Sequence, residues 1–198
     1  MRTFSPLEIS TSNVQTHPFT GEWFKIFEEP DVRFSTIIRG EAKSGKSTYA
    51  YKFAQYVSQF GRILYISSEE SVKSKTVKNR LEYCGVTSEK IRFIYTKKVD
   101  DVEALVKTGG YRFVIIDSVQ SLGMNFETFK YLKDKFRKRK LSWHLIMQMG
   151  VNITQWKHEV DVLVRLSQGL AHVDGRYSAS DSIRILKSKN PQQTLPFS

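Results

Sequence analysis

The stretch "IIRGEAKSGKST", positions 37 to 48, constrains this chain more than any other. An apolar run leads into a pair of spaced glycines, and a lysine followed by two hydroxyls opens a segment of helical spacing. Gly40-Glu41-Ala42-Lys43-Ser44-Gly45-Lys46-Ser47 fits the pattern G-x-x-x-x-G-K-[ST], which works only between a strand and a helix. Gly40 and Gly45 let backbone N–H groups converge on phosphate oxygens, and the positive end of the following helix adds to the attraction. Lys46 is expected to reach the outer phosphates and Ser47 to offer its hydroxyl to Mg2+. Gly40 through Thr48 are therefore the expected nucleotide-binding residues, with ATP and Mg2+ as cofactors. The pattern itself leaves another nucleoside triphosphate open.

The rest of the chain reads as alternation. Short runs rich in Ile, Val, Phe and Tyr recur as "STIIR" (35–39), "RILYIS" (62–67), "IRFIY" (91–95), "RFVII" (112–116) and "WHLIM" (143–147), each with the character of a buried strand. Between them lie helical patterns. Ala50, Phe53, Ala54 and Val57 share one face, as do Val102, Leu105 and Val106 behind an Asp100…Glu103 capping pair. Gly61, Gly85 and Gly109 stand where left-handed caps are wanted. Strand, helix, strand, repeated, predicts an α/β fold with a mostly parallel central sheet flanked by helices. After residue 160, "DVLVRLS", "LAHVD" and "SIRILKS" leave no room for helices and predict antiparallel C-terminal strands. One domain is expected over 1–198, with an N-terminal arm (1–30), a core (31–190) and a flexible tail (191–198).

Composition narrows the class. The chain has 198 residues, one cysteine (Cys84) and a formal charge of +11. No disulfide framework is available within it, and the expected compartment is the cytoplasm, with no membrane span. The positive charge points to a polyanionic partner, since Lys and Arg gain affinity by displacing counterions from nucleic-acid phosphates. A membrane surface or a ribosome satisfies the same charge. The segment "KYLKDKFRKRK" (130–140) holds seven basic residues against one acid, and "VKSKTVKNR" (72–80) carries only basic charge. A solvated helix face is the alternative for either.

Four apolar residues precede Asp117 in "FVIIDSVQSL", the Walker B arrangement, in which a strand delivers one carboxylate beside the loop to hold the magnesium shell. Ser118 follows it, so a water-activating base must come from elsewhere. The strand after the phosphate loop ends in "YISSEES", with Glu69 and Glu70 at its C-terminal edge. Two acids opening a helix at Ser71 is the alternative.

Here the chain resembles a family. "ILYISSEES" is similar to the RadA/Sms strand LYVSGEES, and "VIIDSVQSL", "HLIMQMG", "HEVDVLVRL" and "IRILKSKN" resemble further RadA/Sms and RecA segments, over roughly residues 35 to 190. The resemblance implies a RecA-like P-loop NTPase, within that superfamily the RadA/Sms ATPase core. It assigns Glu69 as the water-activating glutamate and Gln148 as the strand-end glutamine that senses the terminal phosphate. Nucleotide between subunits is also implied, and hence a homo-oligomer, ring or filament. Where RadA/Sms proteins carry KNRFG this chain has Lys189-Asn190-Pro191, which leaves Lys189 as the candidate trans-acting lysine.

In RecA-like proteins the loops after the Walker B strand and the glutamine strand line the nucleic-acid channel. Here they are "QSLGMNFET" (120–128) and "MGVNITQWKHE" (149–159), where Phe126, Trp156 and Lys157 would stack on bases and contact phosphates. Packing of these aromatics on the core is the alternative. The tail "QQTLPF" (192–197) resembles peptides that dock on bacterial sliding clamps. The expectation is a Mg-dependent ATPase acting on DNA, single-stranded by preference, in recombination, repair or replication. A nucleotide-dependent switch or loader and a small-molecule P-loop kinase are the alternatives.

Overall fold

The computed structural model describes residues 3–177 and 182–186. In chain order the elements are α1 (Pro6–Ser10), α2 (Gly21–Phe27), β1 (Thr36–Gly40), α3 (Lys46–Val57), β2 (Ile63–Ser67), α4 (Lys75–Cys84), β3 (Ile91–Tyr95), α5 (Val99–Gly109), β4 (Phe113–Asp117), α6 (Phe126–Lys135), β5 (Ser142–Gln148), α7 (Thr154–Lys157), β6 (Val162–Ser167), β7 (Leu170–Gly175) and β8 (Ser182–Arg184). Each of the five apolar runs is a strand within a residue or two of its expected bounds.

The strands form one sheet in the order β3-β2-β4-β5-β1-β6-β7-β8. Period-two alternation divides its side chains between two apolar layers. Ile38, Ile63, Tyr65, Phe113 and Ile115 pack with α2 and α3 on one face. Ile37, Leu64, Ile66, Val114 and Ile116 pack with α5 and α6 on the other. A strand buried on both faces can read as a continuous apolar run, which is why β2 and β4 lack polar interruptions.

The antiparallel expectation for the C-terminal strands is corrected in one place: β6 pairs parallel with β1, Thr36 facing Val162. Residues 149–161, with the short α7, carry the chain back to the start of the sheet before β6 begins, so the strand reenters in the common direction. Only β7 and β8 run antiparallel, β7 after the tight turn at Gln168 and Gly169, both at positive φ.

The N-terminal arm is shorter than expected. Residues 4 to 14 are exposed, but from Thr16, bridged to Asp31, the chain joins the core, and His17, Phe19, Ile26 and Phe27 are buried. Their aromatic rings fill the space beside Phe34 and Phe53. The Asp100…Glu103 capping pair does not form. Helix α5 begins two residues earlier, at Val99 with Lys98 as its N-cap, and Asp101 instead accepts from Thr96 Oγ1 at 2.5 Å. Gly85 is a left-handed cap as expected, Gly110 takes that role in place of Gly109, and α3 ends at Ser58 without one. Among the described residues no helix is long and apolar enough to cross a membrane. Lys189 and the segments 187–190 and 191–198 lie outside the described residues.

Candidate functional site

The C-terminal ends of β1, β2, β4 and β5 meet at one edge of the sheet, and side chains there enclose a cleft of about 630 Å³. Gly40, Glu41, Ala42, Lys43, Gly45, Lys46, Ser47, Thr48, Glu69, Asp117 and Gln148 all line it. Ser44 lies one step away, in an adjoining cavity that Glu41, Lys43 and Leu186 also line. Residues separated by as many as 108 positions in the chain thus converge, because parallel strands put all their C-terminal ends on one side.

The loop's shape follows from its sequence. A Cβ on Gly40 would lie 2.5 Å from the Leu166 carbonyl oxygen and from Ser44 Oγ, so only glycine allows this approach to β6. Gly45 has φ +102° at the N-cap of α3, where a side chain would be strained, and Lys43 also stands at positive φ. Lys46, Ser47 and Thr48, the first residues of α3, line the cleft. Lys46 Nζ donates to the carbonyls of Gly40 and Glu41, both at 2.8 Å, which holds the ammonium at the loop's mouth.

Asp117 ends β4 beside Ser47, whose side chain is a hydrogen-bonding neighbour. Tyr65 Oη donates to Asp117 Oδ2 at 2.8 Å. Burial raises the Asp117 pKa above the usual carboxylate value, with the Glu69 charge adding to the rise. The bonds from Tyr65 and Ser47 oppose it without cancelling it.

Glu69 is held from three sides. Its Oε1 accepts from Ser118 Oγ at 2.5 Å, Ser121 Oγ at 3.1 Å and Gln148 Nε2 at 3.5 Å. Desolvation, the largest single influence, pushes its pKa up, but Ser118, Ser121, Gln148 and the Lys46 charge together hold it below the ordinary glutamate value. It therefore stays ionised at neutral pH. Gln148 is fixed in turn: its N–H donates to Gln120 Oε1 at 3.1 Å, and its backbone lies in register with Gly40.

Glu70 turns away from the loop. It accepts from Ser74 Oγ at 2.7 Å and pairs with Arg80 at 3.5 Å. The alternative of a helix opening at Ser71 does not hold, since Ser74 is the N-cap of α4 and receives the Val77 N–H. Arg80, over the Tyr51 ring at 5.5 Å, reaches the cleft as a third cation beside Lys43 and Lys46. Arg80, Tyr65, Ser118, Ser121 and Leu186 were not singled out by the motifs. Arg80 was hidden in a basic run, Tyr65 in an apolar one, and nothing in the local sequence marks which hydroxyl faces Glu69.

The loop aromatics resolve toward packing. Trp156 is 6% exposed and stacks on Phe129 with centroids 5.4 Å apart, while Phe126 meets it edge-on at 5.6 Å. These rings join the apolar layer under α6 and are not free platforms for bases.

No family model matches the chain. It is 31% identical over 90 residues to the DNA repair protein RadA of Treponema pallidum, covering 46% of this chain and 19% of that protein. It is 33% identical over 86 residues to the DNA repair protein RadA of Streptococcus pneumoniae, covering 43% of this chain and 20% of that protein. The matched stretch thus spans about a fifth of either relative's length. Among solved structures, the flagellar accessory protein FlaH from Methanocaldococcus jannaschii superposes with a TM-score of 0.62 at 14% identity, covering 85% of this chain and 90% of that one. A KaiC-like protein from Pyrococcus horikoshii superposes with a TM-score of 0.60 at 14% identity, covering 88% and 93%. The chain is RecA-like in fold, and the resemblance to the RecA-like P-loop ATPases, RadA among them, holds.

Proposed function

We propose that this chain is a Mg-dependent ATPase that acts on DNA, single-stranded by preference, in recombination, repair or replication. The observation that carries the reading is the Glu69 carboxylate. It is ionised, oriented by Ser118, Ser121 and Gln148, and faces the same cleft as Lys46 and Asp117. A glycine loop alone binds phosphate. A fixed base across from it supports hydrolysis.

In this reading the loop amides and Lys46 bind the triphosphate, and Lys46 exchanges its two carbonyl partners for phosphate oxygens. Ser47 and Asp117 supply a hydroxyl and a carboxylate, hard oxygen donors side by side. That set fits Mg2+, which takes one or two protein oxygens and completes its shell with phosphate and water. When bound, the ion would neutralise charge on the outer phosphates. Glu69 orients and deprotonates the attacking water, and Gln148, bonded to Glu69, reports the state of the terminal phosphate to residues 149–159. The two matches to the DNA repair protein RadA support DNA repair as the setting, while a homo-oligomer as the working form and the cytoplasm as the compartment are proposed from the sequence. Lys189, as a trans-acting lysine, and the clamp-like tail stay as proposals from the sequence.

The test is ATP turnover with and without single-stranded DNA across a salt series, with assembly state monitored. Lys46→Ala is expected to abolish turnover, and Glu69→Gln to bind ATP while hydrolysing it about 100-fold or more slowly, the usual range for losing a general base. A Glu69→Gln protein as active as the parent removes Glu69 as the base. ATP binding with negligible turnover favours the nucleotide switch, and ATP consumption only with a small acceptor favours the kinase.

A further inference from the structure

The nucleotide cleft occupies the C-terminal edge of the parallel strands, and the opposite edge carries a pattern of its own. Lys90, Arg62 and Arg112 immediately precede β3, β2 and β4, Lys140 stands two residues before β5, and Arg33 three before β1. The sheet order β3-β2-β4-β5-β1 therefore lays them in a row: Lys90, Arg62, Arg112, Lys140, Arg33. Their backbones confirm the adjacency. The Lys90 carbonyl accepts from the Ile63 N–H at 2.9 Å, the Arg62 carbonyl from the Arg112 N–H at 2.8 Å, and the Arg112 carbonyl from the Ser142 N–H at 2.9 Å. With strands about 4.8 Å apart the row is about 20 Å long.

All five side chains are exposed. Among the described residues none of them is within ion-pair distance of a carboxylate. The basic run at 130–140 divides on this point: Lys133 and Lys135 pair with Glu159 and Glu103, while Arg137, Lys138, Arg139 and Lys140 join the rim unpaired. Lys107, Arg112, Arg139 and Lys140 line a groove of about 470 Å³ that no carboxylate enters.

Backbone carbonyls hold the guanidinium groups in place. Arg62 donates to Gly109 at 2.6 Å, Arg139 to Val106 and Lys107 at 2.5 and 2.7 Å, and Arg33 to Arg137 at 2.9 Å. The bonds to Val106, Lys107 and Gly109 cap the end of α5, and all four place the guanidinium groups without a carboxylate partner and reduce the side-chain ordering that a ligand would otherwise have to impose.

We propose that this rim is a sequence-independent docking surface for the phosphodiester backbone of a nucleic acid, on the opposite edge of the sheet from the nucleotide. A linear array of fixed cations suits a strand that carries one phosphate per about 3.4 Å. No exposed apolar side chain of the size needed to enter a lipid surface stands in the row. The inference rests on the nucleic-acid half of the proposed function and not on turnover.

The experiment is fluorescence anisotropy of a labelled single-stranded oligonucleotide, without nucleotide, across a salt series. The Arg62→Gln/Arg112→Gln/Lys140→Gln protein is expected to bind at least 10-fold more weakly at low salt. Its log K against log salt slope should be shallower by about 2, three cations at about 0.7 each. An Arg62→Lys/Arg112→Lys protein should keep the slope. Unchanged nucleotide-analogue binding at the far edge serves as the folding control. A triple variant with the parent's affinity and slope overturns the surface, as does an equal loss from Lys157→Gln alone. If the parent binds anionic vesicles but no oligonucleotide, the surface is overturned together with DNA as partner. Failure of ATP binding or hydrolysis in the parent would sink the ATPase reading and leave the rim standing.

Discussion

Tyr65 Oη donates a 2.8 Å hydrogen bond to Asp117 Oδ2, tying the middle of β2 to the end of β4 under the nucleotide cleft. The bond favours the ionised form of a carboxylate whose burial pushes its pKa up. Tyr65→Phe is expected to weaken Mg2+-supported nucleotide binding several-fold, measured by titrating Mg2+ at fixed ATP. It also removes a buried hydrogen bond to a charged group, worth about 1.5 to 3 kcal/mol.

Asp117 carries a stability cost of the opposite kind. Its folded pKa lies above the ordinary carboxylate value because burial disfavours the charge. For an acid shifted upward, the penalty is absent below the unfolded pKa and complete above the folded one. Asp117→Asn should therefore raise the melting temperature at pH 7 in the absence of Mg2+ while removing metal-dependent turnover. A lower melting temperature would show that the carboxylate is better compensated than its surroundings indicate.

Ser118 sets the ionisation of Glu69. Desolvation lifts the Glu69 pKa, and the bonds from Ser118, Ser121 and Gln148 with the Lys46 charge bring it below the ordinary value. The stability this confers is present above the unfolded pKa and lost as pH falls through the folded one. Ser118→Ala should move the acid limb of the turnover profile to higher pH with the alkaline side unchanged. A pH profile that does not move excludes Ser118 as the group that tunes the base.

Gly40 is required by contact as well as by motif. Gly40→Ala places a methyl 2.5 Å from the backbone oxygen of Leu166, which cannot swing aside as a side chain can. The expected result is loss of nucleotide binding with a lowered melting temperature, read by calorimetry and by binding of a fluorescent analogue. Normal binding would show that β6 shifts freely.

Trp156 belongs to the core. Trp156→Ala should cost about 3 to 5 kcal/mol of stability in a denaturant titration, the usual range for a buried large aromatic. Loss of oligonucleotide affinity at unchanged stability would return it to the nucleic-acid surface.

Most of the cleft was legible because its parts are local. A glycine loop works only between a strand and a helix, and an acid at the end of an apolar run is delivered to a strand's C-terminal end wherever that strand lies in the sheet. Lys46, Ser47 and Asp117 could therefore be named from local pattern, and Glu69 and Gln148 from the resemblance to RadA/Sms and RecA segments, before any of them was known to meet. The direction of β6 was not legible. Parallel and antiparallel strands share one side-chain period, and the difference lies in how residues 149–161 travel. Nor could the sequence assign Phe126 and Trp156, which are as suitable for stacking on bases as for packing on Phe129.

What the sequence determined alone was the set of strand ends and the residue types at each, since backbone period and glycine stereochemistry act over a few residues. What only the tertiary structure decided was adjacency across the sheet. It made Tyr65 a partner of Asp117 and Ser118 a partner of Glu69, and it turned five scattered basic residues into one row. Strand order is set by the packing of helices on both faces of the sheet, a balance struck over the whole chain and written in no single segment.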